Sequence, residues 1–215
     1  MIKSWLLILV LPLLGLCAPA ADVAPAPAAT LNPKWKFQKL LPSTPDKVLF
    51  QNSCDYAVYV QAVSGDPTKT PPPPQEIGGA SKWTGDLSPE CVGQEKPCGT
   101  SLKISRAIDM QVVVQFEFTV NVTTGDAWYD ISLINCIKDM NVPNKDATAC
   151  PGWEAGILAT AAEGSSVTCN RMECAPRFQC EENAYFFELD KVAGAHHPVA
   201  PCPANRGIAI EICAA

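Results

Sequence analysis

The chain has 215 residues, with 16 lysines and arginines against 22 aspartates and glutamates, a formal net charge of -6 and a sequence pI near 4.9. Nucleic acids and anionic membranes both attract basic surfaces, so this charge balance argues against either as a partner. The length allows one domain with a real hydrophobic core.

The first twenty residues have the features of a secretion signal. Lys3 precedes an apolar run over residues 5–16, and small residues surround Ala20. The run is shorter than the roughly 20 residues that cross a membrane, so we expect cleavage after residue 20 and no membrane anchor. Loss of Lys3 leaves 15 basic residues against 22 acidic ones, a net charge of -7. The product is predicted to be secreted, extracellular or in the cell wall.

Residues 21–45 differ in composition from the rest of the chain. They are rich in alanine and proline and offer little to bury apart from Trp35 and Phe37. We interpret them as an extended linker or a pro-segment. The folded domain is predicted over residues 46–215.

Ten cysteines remain after residue 20. An even number of cysteines behind a secretion signal predicts disulfide bonds made in an oxidising compartment. Metal binding is the rival use, but no pair has the C-x2-C spacing of a zinc knuckle. We therefore predict a disulfide-rich protein with no metal and no cofactor.

Short runs of β-branched and aromatic residues, separated by Pro, Gly, Asp and Asn, predict strands. These runs cover residues 48–52, 57–63, 101–104, 112–120, 128–134 and 207–213. Many short strands with turns between them are typical of an all-β sandwich, which is the fold class predicted here.

The clearest local pattern is a β-hairpin in which apolar and polar residues alternate on both sides of a turn. If the turn centres between Thr123 and Thr124, antiparallel pairing opposes residues of the polar face. The opposed pairs are Glu117 with Asp130, Gln115 with Ser132, and Thr119 with Trp128.

Two facing carboxylates have Cβ atoms roughly 5 Å apart and destabilise a sheet. Either something bound there offsets the repulsion, or the register is wrong by a residue or two. The functional interpretation is an acidic, partly aromatic patch suited to a sugar or a cation. The alternative is a solvated sheet face with ordinary charges.

Several stretches resemble thaumatin-like proteins, the superfamily that includes osmotin, in both residues and order. They are VLFQNSC at 48–54 with YAVYV at 56–60, EFTVN at 117–121 with YDIS at 129–132, NVP at 141–143, and CP at 202–203 with IAIEIC at 208–213. Closer still, SLKISR at 101–106, QFEF at 115–118 and WYDIS at 128–132 resemble a small fungal branch, the Blastomyces yeast-phase-specific family. The resemblance implies a thaumatin-like β-sandwich.

The resemblance also implies a disulfide framework. The family joins its first cysteine to its last, and the step from Cys169 to Cys174 matches a C-x4-C pattern with partners further on. The implied pairs are Cys54 with Cys213, Cys169 with Cys202, and Cys174 with Cys180, and two local loops remain, Cys91 with Cys98 and Cys136 with Cys150. Large members carry a second domain between the cysteines that match Cys174 and Cys180, and here it is absent.

Large antifungal members have an acidic cleft of one Arg, one Glu and three Asp. Glu117 matches the Glu and Asp130 one Asp, but Ala127 stands where another Asp is expected, and residues 83–98 contain no Arg. The incomplete cleft argues against carrying over glucan hydrolysis or membrane permeabilisation. An open sheet face without a second domain is also expected to desolvate neither carboxyl much, which disfavours hydrolysis.

Three functions stay open. We favour a non-enzymatic secreted fungal protein, a candidate cell-surface protein or effector, that binds a cell-wall glycan (β-1,3-glucan) or a host protein. Its binding residues would be Glu117, Asp130, Trp128, Gln115 and Ser132. The second is a β-1,3-glucan hydrolase in which Glu117 and Asp130 divide the roles of acid and nucleophile between them. The third is a protein-binding or inhibitory module.

Two smaller predictions complete the sequence analysis. Asn121-Val122-Thr123 is the single glycosylation sequon, and it lies at the hairpin turn, so Asn121 is predicted to be glycosylated. His196 and His197, the two histidines, stand beside Pro198 in a polar segment and are interpreted as exposed loop residues.

Overall fold

Eleven strands occur in the part of the chain that the computed structural model describes, which is residues 44–88, 98–139, 145–161, 169, 171–188 and 196–215. All of these residues belong to the unit that covers Asn32–Ala215. The strands are β1 Lys47–Asn52, β2 Val58–Ser64, β3 Gln75–Ile77, β4 Lys82–Asp86, β5 Thr100–Ser105, β6 Val113–Val120, β7 Asp126–Ser132, β8 Ile157–Ala161, β9 Met172–Cys174, β10 Val199–Pro203 and β11 Ile208–Ile212. The predicted signal and most of the predicted linker lie outside the described residues and stay predictions.

The strands form two sheets. One has five strands in the order β4-β1-β11-β8-β9, and the other has six in the order β10-β7-β6-β5-β2-β3. Helical structure in the described residues is limited to short 3₁₀ turns such as Ile134–Cys136 and Ala204–Arg206. No helix there is both long and apolar enough to cross a membrane. The predicted all-β class is confirmed.

One hydrophobic core takes side chains from both sheets. Phe50 and Ile210 come from the five-stranded sheet and Phe116 and Ile131 from the six-stranded sheet, and all four are completely buried. The alternation of apolar and polar residues along β6 and β7 places the apolar set in this core. The polar set is thereby left on the outer face of the six-stranded sheet.

The first and last strands lie side by side and run parallel, with Asn52 at the end of β1 paired with Ile212 at the end of β11. Both strands therefore end on the same side of the sheet. The next cysteine after each strand lies just beyond that end. Cys54 and Cys213 are joined there, with Cα atoms 5.1 Å apart. The parallel pairing explains geometrically why the first cysteine meets the last.

Three more disulfides of the implied framework are present. They join Cys136 to Cys150, Cys169 to Cys202, and Cys174 to Cys180. Cys91 lies outside the described residues, so its pairing with Cys98 stays a prediction. The sheets and the disulfides agree with the thaumatin-like β-sandwich that the residues implied.

Asn52 explains the asparagine of the opening stretch. Its side chain is completely buried, and Nδ2 donates hydrogen bonds to the carbonyl oxygens of Tyr56, at 2.8 Å, and Ile77, at 3.1 Å. Its Oδ1 accepts from the Cys54 backbone N–H at 3.1 Å. One amide therefore satisfies buried backbone groups of the connection between β1 and β2 and of β3.

The strand predictions missed five elements, β3, β4, β8, β9 and β10. The most informative is β10, because Pro201 and Pro203 argue against a strand when read from sequence alone. It lies at the edge of its sheet, where proline is tolerated because one side of the strand has no neighbour to receive a hydrogen bond. The predicted strand over residues 128–134 ends earlier, at Ser132, because a 3₁₀ turn begins at Ile134.

Candidate functional site

The polar face of the hairpin has the register that the turn position predicted. Glu117 pairs with Asp130, Gln115 with Ser132, and Thr119 with Trp128. The hairpin closes through hydrogen bonds between Asn121 and Asp126, and between Gly125 and Asn121. Glu117, Asp130, Trp128, Gln115 and Ser132 therefore lie on one face of two neighbouring strands.

These five side chains differ in accessibility. Trp128 is 42% exposed, whereas Ser132 is only 2% exposed. Gln115 is held by its neighbours, because its Oε1 accepts from the Ser101 hydroxyl at 3.1 Å and its Nε2 donates to Asn135 at 3.0 Å. Trp128 is therefore the side chain of the five that is most clearly open to a ligand. The amide of Gln115 is held in one orientation by its hydrogen bonds.

Neighbouring strands extend this face into a row of paired residues across the sheet, which we call the transverse row. Successive partners on β2, β5, β6, β7 and β10 are Val63, Ser101, Glu117, Asp130 and Val199. Neighbouring strands are about 4.8 Å apart, so the row is about 19 Å long. The facing carboxyl groups lie near its middle.

Two clefts open on this face and share both carboxyl groups. The larger, about 500 Å³, is lined by the whole transverse row together with Trp128, Lys103 and Gln115. The smaller, about 280 Å³, is lined by Glu117, Asp130, Ser132, Ile134, Tyr185, Phe187, Glu188 and His197. We call the two clefts together the acidic groove.

The far wall of the acidic groove comes from a segment that sequence reasoning did not assign to the site. Tyr185 lies beside the last residues of β7: its N–H donates to the Ile131 carbonyl at 2.8 Å, and its carbonyl accepts from the Leu133 N–H at 2.9 Å. The Tyr185 hydroxyl lies 3.4 Å from Nδ1 of His197, and the two rings meet edge to face. His197 is exposed, as expected, but it also contacts the wall of the groove.

Tyr185 and Phe187 come from the stretch AYFFELD at residues 184–190, which the sequence analysis did not assign to the site. Lys103 was also missed. It faces Gln115 across the β5–β6 ladder and is the cation whose charge acts on Glu117. Alternation along β5 could have placed Lys103 on the polar face, but nothing local in the sequence signals that Tyr185 or His197 joins it.

Burial decides the charge of the carboxyl pair. Asp130 has a buried Oδ1 without a hydrogen-bond partner. Desolvation, and then the charge of Glu117, raise the pKa of Asp130 to about 8. Desolvation also raises the pKa of Glu117, against the lowering effect of Lys103. At neutral pH Asp130 therefore keeps its proton, and the pair carries at most one negative charge.

This result corrects two expectations. The register is not displaced, so the two acids do face each other, and the raised pKa values of both carboxyl groups reduce the repulsion between them because they favour the protonated forms. The expectation that an open sheet face would desolvate neither carboxyl much is wrong. β10 and the Tyr185 segment cover the outer side of β7, so Asp130 lies on an enclosed strand and not on an open edge.

The groove retains hydrogen-bond donors as well as acceptors. Burial, followed by the charges of Asp130 and Glu117, raises the pKa of Tyr185 to about 12, so its hydroxyl stays protonated. Ala127, at the position where the large members carry another acid, is completely buried in the core and does not reach this face. No cluster of three or more metal-ligating side chains occurs among the residues described.

Comparisons with solved structures agree with the fold. The chain matches the protein elicitor MoHrip2 from Magnaporthe oryzae with a TM-score of 0.55 and 15% identity, over 79% of this chain and 99% of that one. The chain therefore shares the overall fold of that structure. A thaumatin-like xylanase inhibitor, TLXI, also matches, with a TM-score of 0.42 and 10% identity over 77% of this chain and 98% of that one. Comparisons with protein-family models and with curated proteins found no match.

Proposed function

We propose that this chain is a secreted, non-enzymatic member of the small fungal thaumatin-like branch, and that it binds an extended cell-wall glycan, with β-1,3-glucan as the first candidate. The transverse row of the acidic groove carries this proposal. It spans five strands over about 19 Å, which is longer than a single sugar ring requires. A groove of this length suits a linear oligosaccharide.

The side chains of the groove supply the contacts that a sugar needs. Trp128 presents an exposed indole on which the C–H groups of a sugar ring can stack. Protonated Asp130 and the Tyr185 hydroxyl donate hydrogen bonds, and Glu117 and the oriented Gln115 accept or donate them. The fold of an elicitor is compatible with a non-enzymatic effector role.

Trp128→Ala is expected to weaken binding to insoluble β-1,3-glucan about five- to tenfold, because it removes the exposed stacking surface. Glu117→Gln is expected to weaken binding less, since an amide retains hydrogen bonding. Ile108→Ala is the control, because Ile108 is 64% exposed and does not line either cleft. Pull-down isotherms measure all three, with each protein purified in a Thr123→Ala background so that no glycan at Asn121 competes for Trp128.

Equal binding by the wild type and Trp128→Ala would contradict a stacking role for Trp128. No glucan binding by the wild type would count against the glycan and favour a protein partner, either the host protein of the first function or the target of the third, a protein-binding or inhibitory module. Repeating the isotherms with other wall polysaccharides shows whether the protein binds a different polysaccharide or no polysaccharide at all.

Hydrolysis of β-1,3-glucan is a second candidate, because the pKa of Asp130 suits a general acid. Asp130 faces Glu117 across the two strands, with Cβ atoms about 5 Å apart, and this spacing allows the two carboxyl groups to approach the separation of about 5 Å found in retaining glycosidases. Release of reducing ends from β-1,3-glucan by the wild type, abolished in Glu117→Gln with binding retained, would replace the non-enzymatic proposal with this one.

A further inference from the structure

Asn121 lies at the first residue of the hairpin turn and is exposed. Its Oδ1 accepts hydrogen bonds from the backbone N–H groups of Thr123, at 2.9 Å, and Thr124, at 3.3 Å. The amide oxygen is therefore directed into the turn. The nitrogen Nδ2, on the other side of the amide carbon, is the atom that a glycan would modify.

The register places Asn121 on the face that carries the acidic groove. It continues the alternation of Gln115, Glu117 and Thr119, and its N–H donates to Asp126 at 2.8 Å as the next pair of the β6–β7 ladder. Trp128 is then its diagonal neighbour across the hairpin. Diagonal neighbours on one face are about 7 to 8 Å apart, within reach of a large side chain.

We infer that Asn121 carries an N-linked glycan whose first sugar stacks on Trp128. Trp128 is 42% exposed beside a sequon, and its indole face can take the apolar face of a sugar ring. In the transfer step, Nδ2 loses a proton and bonds to the anomeric carbon of a lipid-diphosphate oligosaccharide. The bond from that carbon to the diphosphate oxygen breaks, and the lipid diphosphate leaves.

The attached sugar has a consequence for the acidic groove, and this last step rests on the proposed function. Trp128 lines the larger cleft beside the transverse row, on the side of the hairpin turn, so a sugar on its face occupies that side of the groove. Asn121 is about 13 Å along the strand from Glu117, so the carboxyl pair stays open. Glycosylation thus narrows the groove on its Trp128 side without closing it.

The test compares secreted protein with its full glycan, with the single sugar left by an endoglycosidase, and without glycan through Thr123→Ala. Thr123→Ser keeps the sequon and is the matched control. The first two forms should have equal melting temperatures, and Thr123→Ala should melt about 2 to 4 °C lower. Hydroxyl-radical labelling of Trp128 should be at least about twofold higher in Thr123→Ala. In a Trp128→Ala background, the Thr123→Ala effect on melting should disappear.

Each result decides one part of the inference. An unmodified Asn121 in the secreted protein, or equal Trp128 labelling in all forms, would overturn it. A melting difference that persists in Trp128→Ala would show that the sugar acts elsewhere. If Thr123→Ala binds a β-1,3-glucan oligosaccharide several-fold more tightly than Thr123→Ser, the narrowed groove is supported, and equal binding overturns it. If no form binds the oligosaccharide, the proposed function fails, while labelling and melting still decide the stacking.

Discussion

Replacing both Cys54 and Cys213 with alanine is expected to lower the free energy of unfolding by about 4 to 5 kcal/mol and to reduce secretion sharply. The bond closes a loop with a sequence separation of 159, and in the chain-entropy model a cross-link of that length strongly restricts the unfolded chain. Changing both cysteines avoids a free thiol. Denaturant unfolding of protein recovered from the secretory pathway measures the change.

The matched control is the double replacement of Cys174 and Cys180, whose sequence separation is 6. The same model assigns that loop about 2 kcal/mol. A Cys54–Cys213 effect equal to or smaller than this would contradict a role for the long cross-link in stability. Peptide mapping without reduction tests the pairing itself, and a partner other than Cys54 for Cys213 would remove the main support for the thaumatin-like framework.

Asp130→Asn is expected to stabilise the protein, and to do so increasingly as the pH rises. The folded chain holds the Asp130 proton up to a pKa of about 8, whereas the unfolded chain releases it near the ordinary aspartate pKa of 3.8. Between these values the folded state binds more protons than the unfolded state, so the free energy of unfolding falls as the pH rises. Below about pH 4 both states are protonated and the effect vanishes.

We expect the variant to exceed the wild type by about 2 to 4 kcal/mol near pH 8 and by almost nothing near pH 4. Urea unfolding over that pH range measures the difference. Asp109→Asn is the control, because Asp109 is exposed and an amide can keep its hydrogen bond to the Gln111 backbone N–H. A wild type and an Asp130→Asn variant with parallel pH profiles would show that Asp130 is ionised in the folded protein.

Glu117→Gln provides a second check on the same pair. Removing the charge of Glu117 takes away the second cause of the raised pKa of Asp130, so its titration should move to lower pH. An NMR titration of the Asp130 carboxyl carbon measures this directly. The part of the pKa shift of Asp130 that remains in this variant is due to desolvation.

The hairpin shows how far local pattern reaches. Alternation and turn position together predict the β6–β7 register. A one-residue slip of either strand would move the apolar side chains of that strand out of the core, which are Phe116 and Phe118 on β6 and Tyr129 and Ile131 on β7. The set of residues on the polar face follows from the same rule. The disulfide framework, in contrast, came from family resemblance, since ten cysteines allow many pairings and their spacing alone does not choose among them.

The sequence by itself thus determined the all-β class, the main hairpin and the five polar-face residues, because each depends on residues close together in the chain. Only the tertiary structure decided what surrounds them. Tyr185 and His197 join the groove through contacts with β7 from over fifty residues away, and β10 covers the same strand despite its prolines. The protonation of Asp130 follows from this enclosure, because desolvation depends on every segment packed nearby and local sequence does not specify which segments those are.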